Sequence, residues 1–205
     1  MPAMATSDPK TDLHHYLGEA REALLWKLEG LSEYDIRRPL TPTGTNLLGL
    51  VKHLAAMEIG YFGDTFGRPL PDQPTWSTLE GMEGELNVEL WATADESREY
   101  ITGWYHRACA HSDATIDALD LESPGQVPWW RPGRNDVTLH RILVHMIAET
   151  HRHAGHADIV RELIDGAVGL EADNSNLASD DPAWWASYRE RVEQAARAAG
   201  GRSAS

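Results

Sequence analysis

Residues 138–164, TLHRILVHMIAETHRHAGHADIVRELI, narrow the choice of fold more than any other stretch of the chain. Apolar residues recur at Leu139, Ile142, Leu143, Met146, Ile147, Val160, Leu163 and Ile164, which is the spacing of one buried helical face. Midway along, that stripe is occupied by Glu149 and His153, with His145 a turn earlier and His156 just under a turn later. Side chains four apart stack on one side of a helix, so a carboxylate and an imidazole point where leucine would be expected. Burial of ionisable groups is unfavourable unless they are paired or bound to a metal. The polar centre of an otherwise apolar stripe therefore marks a candidate site. His151 lies about 200° round the helix from His153 and is expected in solvent.

Other segments supply the helices this one needs around it. Residues 11–29 place Leu13, Leu17, Ala20, Leu24 and Leu28 on one face, with Thr11 or Asp12 as cap. Residues 31–46 form a connection with Pro39 and Pro42, holding a short turn around residues 33–37. A second helix is expected over 47–65, with Leu47, Leu50, Val51, Leu54, Tyr61 and Phe62 buried and His53 on the flank. Gly67 and the prolines up to Pro74 end it, and residues 76–91 carry no readable period. A third helix is expected over 94–119, followed by a Pro-, Gly- and Trp-rich loop over 122–136. A polar linker over 171–179 leads to Asp181-Pro182, which opens a last helix over 183–199. Trp184 and Trp185 are expected to pin that helix to the bundle or to a second subunit, and the terminal GGRSAS to fray.

No segment alternates like a strand, and no internal repeat is present. The expectation is all-α: a four-helix bundle with an additional C-terminal helix. Residues 1–10 are read as a disordered N-terminus, 11–166 as the bundle, and 167–205 as a linker and helix packing on it.

The formal net charge of -14 weighs against nucleic acid or an anionic membrane as partner. Cys109 is the single cysteine, so no internal disulfide is available and a reducing cytoplasm is the expected setting. The opening MPAMATSDPK lacks the apolar core of a signal peptide, and no apolar run is long enough to span a bilayer. Cys109, mid-helix among core residues, is read as a small buried hydrophobe.

His53, Glu149 and His153 form the constellation that carries chemistry. Two imidazoles and one carboxylate drawn from facing helices are a ligand set for catalytic zinc, with the fourth position open to water or substrate. Nickel, iron and manganese suit the same donors. The plain alternative is hydrogen-bonded core histidine, since ten histidines bring some close spacings by chance. His145 and His156 flank the set, either as partners that orient the ligands or as ordinary polar residues.

The segments NLLGLVKHLAAMEIGYF and HMIAETHRHAGHADIVRELIDG resemble the DinB-like superfamily of metal-binding four-helix bundles. They are closest to its actinobacterial, mycothiol-dependent branch, which includes mycothiol-dependent maleylpyruvate isomerase. The likeness runs from about Leu13 to Gly166. Much of the superfamily holds its metal with three histidines, the last two four residues apart; here Glu149 stands at the first place of that pair, as in the mycothiol branch. The resemblance thus implies His53, Glu149 and His153 as the metal ligands; the donor types put zinc first. It also implies a low-molecular-weight thiol, mycothiol, as cosubstrate.

A metal-dependent thiol S-transferase or thiol-dependent isomerase acting on a small electrophile is the leading expectation. A non-catalytic metal-binding bundle for sensing or storage, and a metal-water hydrolase, stand beside it. Trp129, Trp130, Arg131 and Arg134 precede the organising helix and are candidates to wall a pocket or bind a carboxylate, against the alternative of ordinary packing. The added helix leaves room for a homodimer.

Overall fold

The organising helix is one continuous rod. In the structure, a computed structural model that describes residues 8–202, α6 runs Leu139–Asp165. The Thr138 side chain caps it by accepting from the Arg141 amide, and Gly166 in the left-handed region (φ 82) ends it. Leu139, Ile142, Leu143, Met146 and Val160 are buried as expected. Leu163 is not: it is 64% exposed. The buried line continues instead through Val160, Arg161 and half-buried Ile164, and Leu163 lies about 100° off that last position. Arg161 turns inward because the end of the first helix offers carbonyls there; its guanidinium donates to the Lys27 and Glu29 carbonyls, both at 2.8 Å.

The first helix, α1, spans Pro9–Leu25 and continues as a 3₁₀ turn at Trp26–Leu28. It begins earlier than the apolar pattern suggests. Asp8 caps it through the Thr11 amide, and Pro9 occupies the first turn, where a missing N–H loses nothing. Residues 8–10 are therefore not disordered as expected; residues 1–7 of that expectation lie outside the described residues. A five-residue helix, α2, occupies Glu33–Arg37 in the connection.

α3 spans Leu47–Glu58, capped by Asn46 through the Gly49 amide. The single helix expected to residue 65 changes geometry after Glu58. A π-helical turn covers Ile59–Gly63 and a 3₁₀ turn Asp64–Phe66. The wider turn lets the Trp129 ring lie on Gly60, where an added Cβ would sit 2.8 Å from a ring carbon. Residues 76–91, unreadable by period, hold a 3₁₀ turn at Thr75–Ser77, the short α4 at Leu79–Gly84 and a 3₁₀ turn at Val88–Leu90. α5 spans Arg98–Ala118, capped by Ser97.

The loop expected over 122–136 contains two short strands, contrary to the strand-free reading. β1 (Pro124–Gln126) pairs antiparallel with β2 (Asp136–Thr138), with Gly125 opposite Val137. Three residues per strand are too few to display alternation.

α1 packs on α6, α3 on α5, and α3 also on α6. Leu24, Leu48, Val51, Leu54, Ile101 and Tyr105 fill one part of the core; Leu17, Phe62, Ile116, Ile142, Leu143 and Met146 fill the other. Beyond α6 the chain turns back onto α1. Trp26 Nε1 donates to the Leu170 carbonyl at 2.9 Å, and Lys27 pairs with Asp158 at 3.0 Å and donates to the Gly169 carbonyl.

Residues 175–205 form a second compact unit. Its helix, α7, spans Pro182–Arg202, with the Asp181 carboxylate accepting from the Ala183 amide at 2.9 Å. Within this unit Trp184 stacks on Tyr188 (ring centroids 5.3 Å apart) and Trp185 donates to the Ser179 carbonyl at 2.7 Å. Residues 203–205 of the expected frayed end lie outside the described residues. No helix among the described residues is long and apolar enough to cross a membrane.

Candidate metal centre

α3 and α6 cross where each is interrupted by polar side chains. His53 projects from α3, and Glu149 and His153 from successive turns of α6. Glu149 Oε1 lies 3.0 Å from His153 Nε2 and 3.5 Å from His53 Nε2, and the two rings meet edge-on with centroids 4.8 Å apart. One donor atom from each of the three falls within 4.8 Å of the others. A tetrahedral ion with bonds of about 2.0–2.1 Å needs neighbouring donors about 3.3 Å apart, and the two carboxylate–imidazole distances straddle that value. The donor set and its spacing fit a divalent metal.

All three side chains are mostly enclosed, at 13% exposure for His53, 23% for Glu149 and 14% for His153. The two imidazoles pull the Glu149 carboxyl down to about 2, the His53 contact contributing most and burial acting against it. Glu149 is therefore an anion at any physiological pH. Burial lowers the His53 ring's tendency to protonate, but Glu149 and Glu89 outweigh it and leave the pKa raised. His153 moves the other way, lowered by burial and by the neighbouring His53. A ring that favours its neutral form is the form that can ligate a metal.

Around this set lie residues of three kinds. His156 Nδ1 sits 3.3 Å from His153 Nδ1, so one of these two atoms donates to the other. Glu89, from the turn at Val88–Leu90, faces His53 from outside the bundle helices, with Oε1 3.8 Å from Nδ1. Further along the α3–α6 seam, the Tyr61 hydroxyl accepts from Trp129 Nε1 at 3.4 Å and Trp130 Nε1 at 3.2 Å, and the His145 ring packs on Tyr61 and Trp130. Burial lowers the His145 pKa despite the nearby Glu149 charge. Trp129 and Trp130 are half-buried against Tyr61, whereas Arg131 and Arg134 are exposed. His151 faces solvent.

In the opposite direction along the same seam opens a cleft of about 630 Å³. Asn46 and Leu50 from the start of α3, the preceding Thr43–Thr45 loop, Asn87 and Trp91 line it, and His153 and His156 form its inner wall. A small molecule in this cleft reaches the His153 ring directly. Glu89 and the cleft loop were not singled out from sequence. They sit in irregular turns, where no period separates a buried residue from an exposed one. Tyr61 is buried as its period predicts, but nothing in the sequence marks its hydroxyl as the acceptor of two indoles. Cys109 is half-buried on the core, and burial pushes its thiol pKa up, first among several causes. It stays a protonated packing residue rather than a nucleophile.

Fold and centre together define a helical bundle that gathers a His–Glu–His donor set between two of its rods, with one member, His153, lining a cleft. The chain belongs to the mycothiol-S-transferase family, whose model matches residues 12–166. That assignment agrees with the branch its two motifs resemble. Among solved structures, a conserved protein from Enterococcus faecalis shares the fold at 16% identity with a TM-score of 0.54, over 79% of this chain and 100% of that one. No curated protein matches the chain.

Proposed function

We propose that the protein is a metal-dependent S-transferase that joins the sulfur of mycothiol to an electrophilic small molecule. The observation that carries this reading is the convergence of His53, Glu149 and His153, with His153 lining an open cleft, in a chain of this family. A divalent ion held there, zinc being the first choice for this donor set, would supply Lewis acidity enough to make a thiol a thiolate at neutral pH.

The chain's own residues do the rest. Glu149 brings one negative charge to the centre and stays ionised at every working pH. For His153 to present Nε2, its proton resides on Nδ1, where it is donated to His156 Nδ1. The cleft admits the thiol from the His153 side, while Tyr61, Trp129, Trp130 and His145 wall the other side and keep water from the reacting carbon. The thiol proton passes to solvent, one carbon–sulfur bond forms, and the electron pair of the bond that breaks at the attacked carbon goes to the electrophile, which takes up a proton from solvent, or departs with its leaving group. No protein nucleophile takes part. The active unit is residues 11–166, with 167–205 appended, and its setting is the cytoplasm.

The test is metal analysis of the purified protein joined to calorimetric titration with mycothiol and N-acetylcysteine, and an assay of thiol-dependent consumption of a bimane electrophile. One divalent ion per chain is expected, with thiol binding that requires the ion. In His153→Ala the ion should be lost and the rate should drop at least about 100-fold. Metal without thiol affinity would leave a non-catalytic metal-binding bundle. Thiol-independent hydrolysis abolished by His53→Ala would point instead to a metal-water hydrolase.

A further inference from the structure

A histidine that offers Nε2 to a metal carries its proton on Nδ1, and a buried N–H needs an acceptor. At His53, Nδ1 is buried and has no hydrogen-bond partner. The polar group facing it is the Glu89 carboxylate, with Oε1 3.8 Å away. Glu89 Oε2 is likewise buried without a partner, and both side chains are only 13% exposed. Two unsatisfied groups of complementary chemistry thus face each other in an enclosed space, about 1 Å beyond hydrogen-bond distance.

The turn that carries Glu89 is held against the same helix that carries His53. Asn46 Nδ2 donates to the Leu90 carbonyl at 3.2 Å, and Lys52 Nζ donates to the Trp91 carbonyl at 2.9 Å. Between these anchors Gly49 lets the Leu90 carbonyl approach so closely that an added Cβ would lie 1.9 Å from its oxygen. Asn87, in the left-handed region at φ 64, reverses the chain just before the turn. The anchors precede and adjoin His53 on α3, so the backbone that delivers Glu89 is tied to the backbone that delivers the ligand.

We propose that Glu89 is a positioning residue of the metal centre: its carboxylate accepts the Nδ1 proton of His53, holds the ring with Nε2 toward the ion, and places a second negative charge beside it. This rests on His53 being a ligand, as proposed above. Metal-ligating histidines whose other nitrogen meets a carboxylate bind more firmly, and loss of such a partner typically weakens metal affinity 10–100-fold.

The experiment measures zinc affinity of the full chain at fixed pH by competition with a chromogenic chelator, for the wild type, Glu89→Gln and Glu89→Ala. Metal-free melting curves for each check that the fold is kept, and the cobalt(II) absorption spectrum of each reads ligand geometry. Glu89→Ala should bind zinc 10–100-fold more weakly with an altered cobalt band. Glu89→Gln, which keeps an acceptor without the charge, should fall between it and the wild type. Affinities within about twofold for both variants, in a wild type that binds zinc, overturn the role of Glu89 and leave the metal centre standing. A wild type that binds no zinc overturns the centre itself. If Glu89→Ala does not fold, Glu89→Gln decides alone, by the same twofold limit.

Discussion

Two of the ionic clusters that the bundle buries along α3 are built on opposite plans. At one, Arg21 of α1 grips Glu58 with two parallel hydrogen bonds of 2.8 and 2.7 Å and donates to Asp113 of α5 at 2.6 Å; His14 also meets Asp113 at 2.8 Å. Burial works against the Arg21 charge, but Glu58 above all holds it on and raises its pKa. There each carboxylate is hydrogen-bonded to the Arg21 guanidinium. At the other cluster, the ionic partners of Glu149 are two imidazoles, His53 Nδ1 and Glu89 Oε2 remain unsatisfied, and a cleft reaches His153. The first network ties α1, α3 and α5 together; the second leaves buried polar atoms without partners beside a cleft. Glu58 and His53 stand five residues apart on the same helix, so what separates the two roles is what the neighbouring elements bring to each.

The largest break in this contrast should come from Arg21→Ala, which strands Glu58 in the core. Removing one partner of a buried pair destabilises by about 3–5 kcal/mol, and urea unfolding of the metal-free protein should show it. His153→Ala in the same metal-free background should shift stability by no more than about 1 kcal/mol. Equal losses at the two clusters would erase the distinction between closed and open.

Metal itself should sharpen the difference. Ion at 100 times its dissociation constant stabilises a folded protein by about 2.7 kcal/mol, so added zinc should raise the melting temperature of the wild type and leave His153→Ala unmoved. Somewhat smaller is the effect of Gly49→Ala, whose new Cβ meets a backbone carbonyl rather than a yielding side chain. Forced overpacking costs about 1–3 kcal/mol, and the displaced turn should also weaken zinc binding by carrying Glu89 away. A Gly49→Ala protein with unchanged stability and affinity would show that the turn is not clamped as described.

The smallest effect concerns acid. Burial pushes the Asp113 carboxyl up, but Arg21 and then His14 outweigh it and hold it below the usual carboxylate range. A carboxyl lowered on folding contributes stability that is full above its unfolded pKa of about 3.9 and lost as pH falls through the folded value. Asp113 is 41% exposed, so screening limits the contribution to about 0.5 kcal/mol. Asp113→Asn should flatten the acid limb of the stability profile by that amount and no more.

Much of this protein was readable from the order of its residues. The long stripe of α6, its interruption by Glu149 and His153, and the placement of His53 on α3 come from local periodicity, which three or four turns of helix make plain. The reading broke down where periodicity ends. Periodicity puts Leu163 on the buried face, but the carbonyls at the end of α1 draw Arg161 inward and Leu163 is left exposed. The hairpin at β1 and β2 is too short to carry a pattern, and Glu89 lies in a single 3₁₀ turn. Nothing local marks it as facing a histidine thirty-six residues earlier.

The amino-acid order by itself determined a bundle of amphipathic helices and a row of ionisable side chains set into an apolar stripe. Those properties depend on neighbours within a few turns, whose spacing along a helix is constant. Tertiary structure alone decided which cluster would be closed by an arginine and which left open to a cleft, and which carboxylate would stand behind His53. Such choices depend on how separate elements meet, and free energies of a few kcal/mol, spread over many contacts, settle them.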